Sequence, residues 1–134
     1  MQERQVARKL SIKDINTGNY IKIDRTESEE SQYLPNYVEI NGLKISRVNI
    51  IATVIDKFVS DNYATLTLDD GTDTIRCKLF DKMDIITNIE KGDIVNVIGK
   101  VKEFDDERYI HLETITKIDD PNYEILRNLE LKLL

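Results

Sequence analysis

Between residues 45 and 118 the hydrophobic positions fall mostly two apart and are dominated by Val and Ile, the period of strands with one buried face. ISRVNIIATVIDKFV (45–59) is a β-branched run longer than an ordinary strand, so it predicts a strand that bends. Two alternating runs follow, joined at Asp70-Gly71, a pair suited to a two-residue hairpin loop. That loop pairs Asp69 with Thr72, Leu66 with Ile75 and Ala64 with Cys77 on an apolar face. The opposite face pairs Thr67 with Thr74, Thr65 with Arg76 and Tyr63 with Lys78, and Phe80 lies just beyond. DKMDIITNIEKG spaces Met83, Ile86 and Ile89 by three, with Asp81 at its start and Gly92 at its end, and predicts a short amphipathic helix. DIVNVIGKVKEF and ERYIHLETITKI are two further strands. Gly99 marks a bulge or corner in the first, and the acidic tip 105–107 reads as a solvated turn between them.

Upstream the pattern is broken into small pieces. Ser11 followed by Asp14 signals a helical turn that Gly18 closes, NYIKI alternates, and 24–32 is polar throughout and reads as an exposed loop. YLPNYVEI and LKI are split by Asn41-Gly42, a second hairpin signal. Downstream, PNYEILRNLELKLL predicts a helix with Pro121 in its first turn. Ile125, Leu126, Leu129 and Leu133 form one apolar stripe of that helix, and Tyr123, Leu131 and Leu134 form another. One stripe suffices for docking on the chain's own core. The second favours a bundle with other subunits, with docking as the plainer alternative.

The order is long strand, hairpin, short helix, hairpin. Five strands with a helix between the third and fourth is the order of the OB-fold, a Greek-key barrel whose second and third strands and flanking loops bind oligonucleotides or oligosaccharides. Another small β-barrel is the alternative. The expected class is mainly β, with residues 1–44 an extension packing on the barrel, 45–118 the nucleic-acid-binding core and 119–134 an assembly helix.

Composition changes this picture in three places. The 134 residues, 40% apolar, are enough for one domain with a real core. No signal peptide or membrane-length apolar run is present, which points to an intracellular protein, cytoplasmic if the source is archaeal. The single cysteine, Cys77, falls on the core face, where it can form neither a disulfide framework nor a thiolate metal site. The net charge of −6 weighs against a polyanion partner, yet much of the acid lies at 24–30 and 103–107, away from the strands that would bind.

The outward face of those strands carries the candidate chemistry. The third strand offers Arg76, Lys78 and Phe80. After the Gly99 corner the fourth offers Lys100, Lys102 and Phe104 opposite the inward Val101. Arg108, Tyr109 and His111 follow on the fifth strand, and Lys57 and Phe58 end the first. Cations spaced among aromatics suit single-stranded nucleic acid, since ammonium and guanidinium groups follow phosphates while rings stack on splayed bases. Phe80 and Phe104 form the natural stacking pair, Tyr63 and Thr65 border them, and Phe58 and Tyr63 read rather as packing at the barrel mouth. The three aspartates at 69, 70 and 73 belong to turn chemistry. No nucleophile–base pair or His/Asp/Glu metal cluster can be assembled, so no catalysis, cofactor or small-molecule substrate is expected.

KISRVNIIATVIDKF, YATLTLDDGTDTIRCKLFD, GDIVNVIGKVKEF and DPNYEILRNLEL, in this order, resemble the replication protein A family, above all its small archaeal subunits and the eukaryotic middle subunit. The resemblance implies binding of single-stranded DNA in replication, repair and recombination, and assembly through C-terminal helices, here Tyr123, Ile125, Leu126, Leu129 and Leu133. It also implies base stacking at Phe80 and Phe104. The third-strand position is commonly Trp in the eukaryotic relative, so Phe80 implies a smaller stacking surface. The winged-helix domain and the phosphorylated Ser-rich tail of that relative have no counterpart in this sequence. A structural subunit with little DNA affinity, or an RNA- or tRNA-binding module, remains an alternative function.

Overall fold

The computed structural model describes residues 6–23 and 35–133. The acidic run 24–32 and Leu134 lie outside the described residues. In chain order the elements are β1 (Arg8–Lys9), α1 (Ile12–Thr17), β2 (Asn19–Ile21), β3 (Tyr37–Ile40), β4 (Leu43–Ile45) and β5 (Arg47–Val59). There follow β6 (Ala64–Asp69), β7 (Thr74–Leu79), a 3-10 turn (Met83–Ile86), β8 (Ile94–Phe104), β9 (Glu107–Ile118) and α2 (Asn122–Lys132).

The strand order β1-β5-β6-β7-β9-β8, with β5 paired again to β8, closes five strands into an OB-fold barrel and leaves β1 as an extra strand. The bend expected of the long strand is a bulge between Val54 and Asp56. Before it, residues 47–53 pair with β8, and after it the strand runs along β6, so one strand serves both walls. Gly99 sits at a register shift in β8, where an added Cβ would lie 2.4 Å from the His111 carbonyl oxygen. Only glycine permits that approach.

Leu66, Ile75, Ala64, Cys77 and Val101 are buried as their alternation predicts, and Leu68, Val97 and Ile110 join them in the interior. Burial pushes the Cys77 thiol well above its usual pKa, which fits an inert core residue. The upstream pieces contribute Ile12, Ile15 and Val38 to the same cluster. Ser11 caps α1 as its spacing suggests, its Oγ accepting from the Asp14 amide.

Two local expectations are corrected. The β6–β7 loop has four residues rather than two, so Asp69 pairs with Thr74, Leu66 with Cys77 and Thr65 with Lys78. A two-residue I′ loop needs positive φ at both centres. Here only Gly71 has it, because the Asp70 carboxylate accepts from the Thr72 amide and hydroxyl and holds its own backbone in an Asx turn. The shift is an even number of residues, so the two faces keep their identities. The expected helix at 81–92 shrinks to the 3-10 turn. Lys82, in left-handed conformation at φ 51°, stands at its cap, no side chain caps it, and the Ile85-Ile86-Thr87 run is poor helix material. Ile86 and Ile89 are nonetheless buried as their spacing implied.

Two-residue loops with positive φ at both centres do occur, at Asn41-Gly42 and at Asp105-Asp106. The second makes Glu107 the first ladder residue of β9, opposite Phe104, rather than part of a solvated tip.

Helix α2 meets the barrel through polar groups. Arg127, 7% exposed, donates from its guanidinium to the Asn49 carbonyl at 3.2 Å and the Asn49 Oδ1 at 2.6 Å. Asn49 in turn donates to Asn96 Oδ1 and the Val97 carbonyl, and Lys9 pairs with Glu130. With Arg127 inward, Ile125, Leu126, Leu129 and Leu133 lie on the sides turned away from the barrel and are exposed, and Tyr123, one turn before Arg127, is exposed as well. The helix turns its apolar side outward.

Candidate nucleic-acid interface

Alternation brings the outward residues of β7 and β9 into one surface. The two strands run parallel with Arg76 beside Tyr109 and Lys78 beside His111, so Arg76, Lys78 and Phe80 interleave with Glu107, Tyr109 and His111. A groove of about 740 Å³ opens over them. It is lined by Phe58, Tyr63, Phe80, Phe104 and Tyr109, by Arg76 and Lys78, and by Asp56, Thr65 and Thr67. Phe80 is 53% exposed and Phe104 71%, so each ring has a free face. Phe80 rests edge-on against His111 at 5.8 Å between centroids, and Phe58 leans on Tyr63 at 5.6 Å. The Lys78 ammonium lies 4.6 Å from the centre of the Tyr109 ring. Burial, then the neighbouring Tyr20 and Glu107, raise the Tyr109 pKa above its usual value, so at neutral pH its hydroxyl is a hydrogen-bond donor.

Of the residues singled out in the sequence, Tyr63, Thr65, Arg76, Lys78, Phe80, Phe104 and Tyr109 meet in this groove. Lys57 does not. Its ammonium is turned to the 3-10 turn, donating to the carbonyls of Ile86 at 3.1 Å and Ile89 at 2.7 Å. The Ile86 carbonyl also accepts from the Ile89 amide, so Lys57 closes the end of this segment together with the backbone. Arg108 is likewise withdrawn, since one of its nitrogens reaches the carbonyls of Ile15, Asn16 and Gly18 at the end of α1 and the other meets Glu103. Lys100 and Lys102 alternate outward with the buried Val101 but do not line the groove.

Three features escaped the sequence reading. Phe58 is a half-exposed wall of the groove rather than mouth packing. Arg127 is the buried anchor of α2, on the side where docking on the barrel calls for an apolar stripe. Glu107 stands at the edge of the groove, 3.5 Å from Arg76 and 3.2 Å from Lys78. Continuing the β9 alternation backwards from Tyr109 would have found it. Among the described residues, no group of three His, Cys, Asp or Glu could hold a metal, and no helix is long and apolar enough to cross a membrane.

Residues 48–118, the barrel itself, match the family described as OB-fold nucleic acid binding domain. The chain belongs to this family. Among curated relatives it is similar to the CST complex subunit STN1 of Ailuropoda melanoleuca, 32% identical over 81% of this chain. This chain spans only 38% of the length of that relative. Among solved structures, a chain of a replication protein A heterotrimer bound to single-stranded DNA superposes with a TM-score of 0.77 at 17% identity, over 96% of this chain and 94% of that one. The Stn1–Ten1 complex of S. pombe also gives 0.77, at 16% identity, over 96% and 90%. The sequence likeness is thus to STN1 rather than to the middle subunit of replication protein A. The likeness to replication protein A holds at the level of fold.

Proposed function

We propose that this chain is a non-catalytic subunit of an assembly of the STN1 and replication protein A type, and that its groove binds single-stranded DNA. The observation that carries the reading is five aromatic side chains around one groove with Arg76 and Lys78 between them. Unstacked bases lie on the rings, chiefly Phe80 and Phe104, while the cations take phosphates, and a strand held so is kept from reannealing. Phenylalanine has no hydrogen-bonding group, so the binding is insensitive to base sequence. The solved relatives include Stn1 together with Ten1, and the outward apolar side of α2 is the surface on which a Ten1-like subunit would sit.

A scaffold reading, with the barrel contributing little affinity, is favoured by one observation: both groove cations are already paired with the Glu107 carboxylate. Titration against fluorescent oligo-dT, oligo-U and a duplex of equal length, each at two salt concentrations, separates the readings. The DNA-binding reading expects oligo-dT bound well above duplex. Replacing Arg76 and Lys78 by Ala should weaken all sequences alike and reduce the salt slope by roughly 0.7 for each phosphate no longer neutralised. No measurable binding by the parent chain, alone or with its partner, gives the scaffold the lead.

A further inference from the structure

Resting on that reading of the groove, we infer that Glu107 is an internal competitor for the phosphates, a carboxylate held on the two groove cations that an incoming strand must displace. Its position is built in rather than incidental. The tight Asp105-Asp106 loop, left-handed at both residues, fixes Glu107 opposite Phe104 at the first rung of the β8–β9 ladder. From there it alternates onto the same face as Tyr109, and the parallel β7–β9 register sets that face against Arg76 and Lys78. Both contacts have the geometry of an exchangeable pair. The Arg76 contact is at the long limit of a hydrogen bond, 3.5 Å. At 3.2 Å from Lys78, Glu107 Oε1 accepts no directed hydrogen bond and is shielded from solvent, so attraction there is Coulombic. By contrast, the cations that serve the fold, Lys57 and Arg108, donate to backbone carbonyls at 2.6 to 3.2 Å. Arg76 and Lys78 are therefore the exchangeable pair of cations, and a phosphate oxygen presents the same charge and acceptor geometry as the carboxylate it replaces.

Two measurable consequences follow. Any polyanion meets a groove whose charge is already balanced, so affinity rests on stacking more than on phosphate contacts. Displacing the carboxylate also leaves it to recruit a solution cation, which offsets part of the counterion release that drives binding.

The test uses the full chain, with its partner if one is required for solubility, titrated with fluorescent oligo-dT across a salt series. Glu107→Gln should raise affinity roughly three- to tenfold, the scale of two weak surface ion pairs, and steepen the salt slope. Glu39→Gln on β3 removes the same formal charge outside the groove and should change affinity less than twofold. In the Arg76→Ala/Lys78→Ala background the gain from Glu107→Gln should vanish, because no cation is left to free. Should the parent bind oligo-dT while Glu107→Gln binds equally or more weakly, Glu107 merely positions the cations and the inference fails alone. A gain of the same size from Glu39→Gln, or one that persists without the cations, reduces it to net charge and also overturns it. If no form binds oligo-dT, the proposed function fails and the inference falls with it.

Discussion

Replacing Phe80 and Phe104 together by Ala should cost about 2 to 6 kcal/mol of oligo-dT affinity, at ~1 to 3 kcal/mol for each stacked base. The lower end is expected if the phenyl rings, smaller than indole, cover a base incompletely. Fluorescence anisotropy at several salt concentrations reads both parts of the expectation: a large loss of affinity and an almost unmoved salt slope, since every phosphate keeps its cation. Thermal unfolding supplies the control. Both rings are more than half exposed, so the double variant should melt close to the parent. Leu66→Ala, by opening a cavity in the closed barrel, should lose ~2 to 5 kcal/mol. Unchanged oligo-dT binding by the double variant would mean that this face does not touch DNA.

The second large effect concerns α2. Changing Leu126 and Leu129 to Asp should leave the melting temperature of the free chain nearly unchanged, because both side chains point away from the barrel and are about half exposed. On the proposal that a partner subunit docks on this side of α2, the same change should abolish that association, as two charges placed on an apolar interface each cost about 2 kcal/mol or more. Arg127→Ala should behave in the opposite sense. It removes the hydrogen bonds to Asn49 and strands a buried Asn49 oxygen, so the free chain should lose roughly 1.5 to 3 kcal/mol. Calorimetry on the free chain and co-purification with the partner distinguish the two. Unfolding of the Asp variant would assign Leu126 and Leu129 to the chain's own core.

What could be read from the sequence divides along a physical line. Which residues face inward was legible, because the strand period is two and each buried set is strongly apolar: Leu66, Ile75, Val101 and Ile110 lie where alternation puts them. That alternation also placed Phe80, Phe104, Arg76 and Lys78 on one groove. Register was not legible at the β6–β7 loop, where side-chain bonds from Asp70 decide the turn and a pair of residues carries no record of them. Nor was the fate of the long cations. Lys57 and Arg108 look like groove residues by position, yet backbone carbonyls at and just beyond the ends of the 3-10 turn and of α1 claim them first. Arg127 escaped for a related reason. A helix read by its apolar stripes is assumed to bury one of them, and here a buried asparagine on β5 offers the helix a polar seat.

The clasp on α1 has a consequence for the order in which the chain assembles. At one end, the Ile12 amide donates to Asp70 and the Lys13 amide to Thr72. At the other, Arg108 gathers the Ile15, Asn16 and Gly18 carbonyls, while Asn16 reaches Asp73 and the Thr74 carbonyl. Every partner lies at least 57 residues further along the chain, on a hairpin tip or at the start of the last barrel strand. A six-residue helix does not stand alone in water, so α1 has nowhere to settle until those strands have met. Although synthesised early, it is placed late, after the slow long-range pairing that closes the barrel. Its contacts then raise the barrier to opening and leave the rate of closing almost untouched, so the first helix acts as a latch on the lifetime of the native state.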